Sequence, residues 1–124
     1  MRQEIIRYFT DKEEKFADLL IAVGTNKNVA KVLVFFASNP EATSREIERG
    51  ADMRQPEVSM AMKYLNERGW ITIGERSLET KGRPMKIYEM VKSIREIMDV
   101  IDTEKKKEAK EQIAIVKKIK DYVG

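Results

Sequence analysis

Apolar residues return along this chain at helical spacing, then at strand spacing, then at helical spacing again. Phe16, Leu19, Leu20 and Val23 recur at three- to four-residue steps behind Thr10 and Glu13, which form a capping-box pair, and Gly24 offers a stop. The pattern predicts a helix over about 11–23, with Ile5, Ile6 and Phe9 in a short turn before it. From Asn28 the run Val29, Val32, Leu33, Val34, Phe35 and Phe36 is apolar on nearly every side. A helix there must be buried against more than one neighbour, and Asn39-Pro40 ends it. Thr43 or Ser44 then caps a short helix through about Arg49, and Gly50-Ala51-Asp52 makes a turn.

A further helix opens at Gln55-Pro56, with the proline suited to the first helical position, and runs to about Arg68 before Gly69 closes it. Val58, Ala61, Met62 and Leu65 share one face of it. Pro56, Met60, Lys63 and Glu67 lie opposite, with Ser59 and Tyr64 on the flanks, so one side is core and the other faces outward. The period then drops to two. The segments 70–75 and 86–91 are β-branched, aromatic and alternating, and they bracket Thr80-Lys81-Gly82-Arg83-Pro84, which has turn chemistry. Together they predict a β-hairpin. Beyond Lys92 the stripe Ile94, Met98, Ile101, Ala109, Ile113, Val116 and Val123 returns to helical spacing, interrupted at Lys105. It predicts one long amphipathic helix or two in line. The expected fold class is mostly α with a small β-hairpin (α+β), divided into residues 1–26, 27–91 and 92–124.

Composition narrows the chemistry. A chain of 124 residues fits one compact domain with an extension. It holds no cysteine and no histidine. That removes thiolate nucleophiles, disulfides, the commonest metal ligands and the commonest general base, so neither a metal nor a cofactor is expected. Catalysis would have to rest on carboxylate pairs such as Glu46 with Glu48 or Glu13 with Glu14, which sit on charged helix faces with no motif around them. A non-enzyme is therefore expected. No apolar run approaches the ~20 residues that span a bilayer, and the N-terminus lacks the apolar core of a signal peptide, which predicts a cytoplasmic protein with no membrane partner. The net charge is only +3. Across residues 40–90 nine basic side chains face nine acidic ones, so any affinity for nucleic acid must come from how charge is distributed.

Residues 28–91 resemble the DNA-binding domains of winged helix-turn-helix transcription regulators of the archaeal TrmB-like, ArsR-like and MarR-like kinds. The resemblance is carried by the buried helix ending at Asn39-Pro40, the run Thr43-Ser44-Arg45-Glu46-Ile47, and Gln55-Pro56-Glu57-Val58-Ser59 opening the next helix. The exit Glu67-Arg68-Gly69-Trp70 and the wing Lys81-Gly82-Arg83-Pro84 complete it. It implies that the helix over 55–68 enters the major groove of double-stranded DNA while the hairpin tip reaches the adjacent backbone or minor groove. On that helix Gln55 suits adenine, Ser59 a phosphate or a base, Lys63 a guanine or a phosphate, and Met60 a thymine methyl. Arg54, as a phosphate clamp, Pro56 and Glu57 belong to the same surface. Ser44 and Arg45 are placed to meet phosphate, although Ser44 equally suits a plain N-cap. Lys81, Arg83 and Lys86 concentrate positive charge in the wing, where Gly82 permits close approach. Trp70, Met53, Met62 and Met98 are expected in the core.

The apolar faces at the two ends exceed what some sixty residues can cover alone. Phe16, Leu19, Leu20 and Val23, with Ile94, Met98, Ile101, Ile113 and Val116, are therefore the expected interface of a homodimer. A dimer places two recognition helices about one duplex turn apart, which implies a pseudo-palindromic operator. The sequence departs from metal-sensing ArsR-like proteins in lacking Cys and His ligands. It also leaves no room for the effector domain of TrmB-like regulators, and no residue marks an effector pocket. The alternative expectation is a winged-helix protein-interaction module without sequence-specific DNA binding, which the neutral domain charge favours.

Overall fold

A computed structural model describes residues 9–77 and 84–124, which form two compact units, one ending at Ser93 and the other spanning Ile94–Gly124. In the first unit α1 (Asp11–Ala22) and α2 (Lys27–Ser38) precede a short strand β1 (Glu41–Thr43). The helices α3 (Ser44–Gly50) and α4 (Gln55–Glu67) follow, then the strands β2 (Ile71–Ser77) and β3 (Pro84–Met90). The second unit is the single helix α5 (Ile94–Val123). The mostly helical class with a small antiparallel sheet is thus what the chain adopts. Lys81, Gly82 and Arg83 lie outside the described residues, as do Ile5 and Ile6.

Local chemistry sets these boundaries. At α1 the Thr10 hydroxyl accepts from the Glu13 N–H at 3.1 Å, and the Glu13 carboxylate accepts from the Thr10 N–H at 2.8 Å, so two otherwise orphaned donors are satisfied. The Asn26 side chain caps α2 by accepting from the N–H groups of Asn28 and Val29. At α3 the cap is Thr43, not Ser44: its hydroxyl accepts from the Glu46 N–H, and Glu46 returns the contact to the Thr43 N–H at 2.9 Å. Ser44 is the first helical residue, and its hydroxyl donates to Glu48 at 3.1 Å. Pro56 stands second in α4, where its missing N–H still belongs to the unpaired first turn.

The core of the first unit lies around α2, which packs against α1 and α4. Phe36, Leu33, Val32 and Val34 of α2, Ile47 of α3 and Val58 and Leu65 of α4 are fully buried. Each side chain of that size contributes roughly 1.5–3 kcal/mol by leaving water. Met53, Met62 and Trp70 are buried as expected, whereas Met98, also expected in the core, is only half-buried. The Arg68 guanidinium lies over the Trp70 ring at 4.4 Å from its centroid, with Tyr64 edge-on to the same indole at 6.4 Å.

The sheet has one strand more than the hairpin pattern predicts. β3 is central, in the order β1-β3-β2, with both neighbours antiparallel. Glu41 pairs with Glu89 and Thr43 with Ile87, which ties the start of α3 to the hairpin. Three residues are too few for a period-two pattern to register, so this strand is set by its partner. The long helix α5 is continuous, without a break at Lys105.

Candidate nucleic-acid interface

A turn of four residues separates α3 from α4, and two backbone features define it. Gly50 ends α3 against α2 so closely that a Cβ there would stand 2.2 Å from Cε1 of Phe35. Asp52 turns the chain with φ of 53°, the left-handed region in which Asp is one of the better tolerated side chains. The Lys31 ammonium reaches the Asp52 carbonyl at 3.5 Å, linking α2 to the turn. This turn, with the packing of α3 on α4, fixes the helix pair as one body.

The wheel of α4 divides as the apolar spacing requires. Val58, Ala61, Met62 and Leu65 are buried, while Gln55, Pro56, Ser59, Met60 and Lys63 are exposed. Met60 is 72% exposed in the middle of this outward face. Gln55 and Ser59, one turn apart, are joined: the Gln55 amide donates to the Ser59 hydroxyl at 2.8 Å. Four-residue spacing is the available signal for such a bond, and sequence reasoning treats the two residues separately. Glu57 is half-buried, and its carboxylate accepts from the Arg54 N–H at 2.8 Å. It thereby serves the cap of α4, because an N–H at a helix start holds a carboxylate both by hydrogen bond and by the helix dipole. Arg54 and Arg45 are exposed at the starts of α4 and α3, and Ser44 is half-buried beside Glu48.

Of the wing cations only Lys86 lies among the described residues. It is exposed, and Glu75 stands opposite it on β2. The register thus supplies an acid to a cation that the linear sequence leaves without one, since residues eleven apart become cross-strand neighbours.

The residues expected at a dimer interface divide as well. Leu20 and Ala17 are the buried residues of α1, which packs on α2, so Leu20 is covered within its own chain and leaves no face for a partner. Leu19 and Val23 are exposed and Phe16 is half-buried. On α5, Ile94, Met98 and Ile101 are half-buried, and Ile113 and Val116 are exposed.

A cavity of about 340 Å³ lies between α1, α2 and the turn at Asp52, and Asp11, Glu14, Asp18, Lys27 and Lys31 are among the residues that line it. Among the described residues no group of three or more acidic side chains is arranged to hold a metal ion, and no helix is long and apolar enough to cross a membrane.

The sequence matches no protein-family profile and no curated protein. Solved structures resemble it in fold. A possible transcriptional regulator from Methanosarcina mazei superposes with a TM-score of 0.62 at 18% identity, covering 81% of this chain and 83% of its own. A MarR-family regulator from Neisseria meningitidis gives 0.54 at 16% identity, over 82% of this chain and 69% of its own. NadR, solved in complex with 4-hydroxyphenylacetate, gives 0.54 at 11% identity, over 89% and 82%. The fold that this chain shares with them is the winged helix.

Proposed function

We propose that the protein is a homodimeric, sequence-specific regulator of transcription that binds double-stranded DNA through α4. The observation that carries this reading is the outward face of α4. A helix that buries four residues on one side presents Gln55, Ser59, Met60 and Lys63 on the other, where they are exposed among the described residues. The mix is one that base edges and phosphates recognise: an amide, a hydroxyl and an ammonium for polar atoms, and a thioether for a thymine methyl. Exposing Met60 in water gains nothing for the fold, whereas contact with a base methyl gives it a use. Arg54 and Arg45, at the starts of the two helices, are suited to phosphate. Lys86 on β3 adds a further exposed cation, and in the sequence Lys81 and Arg83 follow β2 shortly before it. As a dimer the protein would span a pseudo-palindromic operator in the cytoplasm, without enzymatic activity. The neutral charge of residues 40–90 favours one other reading, a winged-helix module that binds another protein.

Selection of bound fragments from randomised duplex DNA at physiological salt separates the two readings. Enrichment of a pseudo-palindrome, lost when Ser59 and Lys63 become alanine, is expected. Failure to enrich any sequence, with affinity no better than the ~10⁻⁴ M weak limit of non-specific binding, would sink the regulator reading.

A further inference from the structure

The surface of α5 carries a pattern that its apolar residues alone do not reveal. From Ile94, steps of four and three residues alternate without a slip through Met98, Ile101, Lys105, Glu108 and Gln112. The same alternation continues through Ile115 and Ile119 to Tyr122. A strict 3.5-residue period is the seam of a two-stranded, left-handed coiled coil. Here the seam is apolar at both ends and charged in the middle. Ile115 and Ile119 are 49% and 56% exposed in the single chain. Lys105 and Glu108 pair with each other at 3.1 Å while remaining 41% and 58% exposed.

We infer that α5 pairs antiparallel with α5 of a second copy, in the register that sets Lys105 of each chain against Glu108 of the other. This rests on the homodimer reading above and gives it a geometry. A parallel pair would bring Lys105 onto Lys105 and Glu108 onto Glu108 inside the seam, and like charges there repel. An antiparallel pair with its two-fold axis between Lys106 and Lys107 makes the Lys105–Glu108 contact twice, as an isologous interface requires. The same register places Met98 on Ile115 and Ile94 on Ile119, with Ile101 on Gln112. Sliding one helix by a heptad would put Lys105 on Ile115, burying a charge against an apolar side chain. Val116 flanks the seam and widens its apolar end. Glu104 and Glu111 approach each other at its rim, a like-charge contact that is weak because it is exposed to solvent.

The absence of native cysteine makes the geometry directly testable in the full chain. Two single-cysteine variants, Met98→Cys and Ile115→Cys, are refolded separately or together and mildly oxidised. The two like positions in an antiparallel pair stand seventeen residues apart along the axis, roughly 25 Å at helical rise, far beyond disulfide reach. The expected result is a covalent dimer from the mixture and none from either variant alone. Self-crosslinking of each variant would overturn the inference in favour of parallel helices. Light scattering on the wild type separates the pairing geometry from dimerisation itself. A dimer that yields no mixed crosslink overturns only the antiparallel pairing, whereas a monomer at all concentrations overturns the dimer reading as well. In a second measurement, Lys105→Glu raises the dimer dissociation constant roughly tenfold or more, because two attractive contacts become repulsive, and adding Glu108→Lys restores it. Unchanged dimerisation in Lys105→Glu would contradict the assigned register.

Discussion

Replacing Gly50 by alanine tests the packing that orients the helix pair, because local and tertiary preferences oppose each other there. Gly50 has ordinary helical backbone at the end of α3, so in isolation alanine would favour the helix by about 1 kcal/mol. The added Cβ would stand 2.2 Å from Cε1 and 2.8 Å from Cδ1 of Phe35. The Phe35 ring is held edge-on to Phe36 at 6.1 Å, and both rings are buried, so neither yields freely. Overpacking a filled site costs about 1–3 kcal/mol, and an overlap of more than an ångström belongs at the upper end. Subtracting the helical gain leaves a net loss of about 2 kcal/mol, or roughly 8 °C in Tm for a chain of this size. Urea unfolding followed by circular dichroism measures it. Phe35→Leu in the Gly50→Ala background should recover part of the loss, with a coupling of about 1 kcal/mol in the double-mutant cycle. A Gly50→Ala protein as stable as the wild type would show that α3 is not wedged against Phe35, and the account of how the turn is fixed would be wrong.

Three further substitutions probe neighbouring features. Asp52→Val should cost about 1–2 kcal/mol, because a β-branched side chain is strained at φ of 53°, while Asp52→Gly should be neutral or stabilising; both are read from thermal melts. Thr43→Ala removes the capping box of α3 and should cost about 1 kcal/mol in the same assay, whereas Ser44→Ala, which leaves the cap intact, should cost less. Arg68→Ala strips the cation from the face of the one tryptophan in the chain. It should change the intrinsic fluorescence and lower stability by about 1 kcal/mol, and an unaltered emission spectrum would place the guanidinium elsewhere.

The sequence makes the helices legible because their stops and starts are chemical. Thr10 with Glu13, Pro40, Pro56 and Gly69 each mark a boundary that backbone hydrogen bonding then observes. The division of α4 into buried and outward faces is equally readable, since the wheel needs only the helical period. What escapes is whatever depends on a distant partner. β1 is a strand because β3 lies beside it, and Lys86 meets Glu75 only once the hairpin has its register. Leu20 belongs to a stripe that serves either a partner or the core, and packing on α2 decides for the core. Two adjacent hydroxyls at Thr43 and Ser44 offer the same cap, and the glutamates at 46 and 48 decide between them: Glu46 completes a box with Thr43, leaving Ser44 to Glu48. Within the proposed contact face, the side chains are legible individually, but the bond between Gln55 and Ser59 needs the helix to be built first.

Whether α4 meets DNA is tested most directly by the affinity of wild type and Lys63→Ala for the selected duplex across a range of salt concentrations. Steep salt dependence is expected of the wild type, because each neutralised phosphate releases counterions. Lys63→Ala should then either flatten the log–log slope by about one, if the ammonium meets a phosphate, or relax the preference at one base pair, if it meets a guanine. Affinity that is insensitive to salt and indifferent to Lys63 would contradict the claim and direct attention to a protein partner.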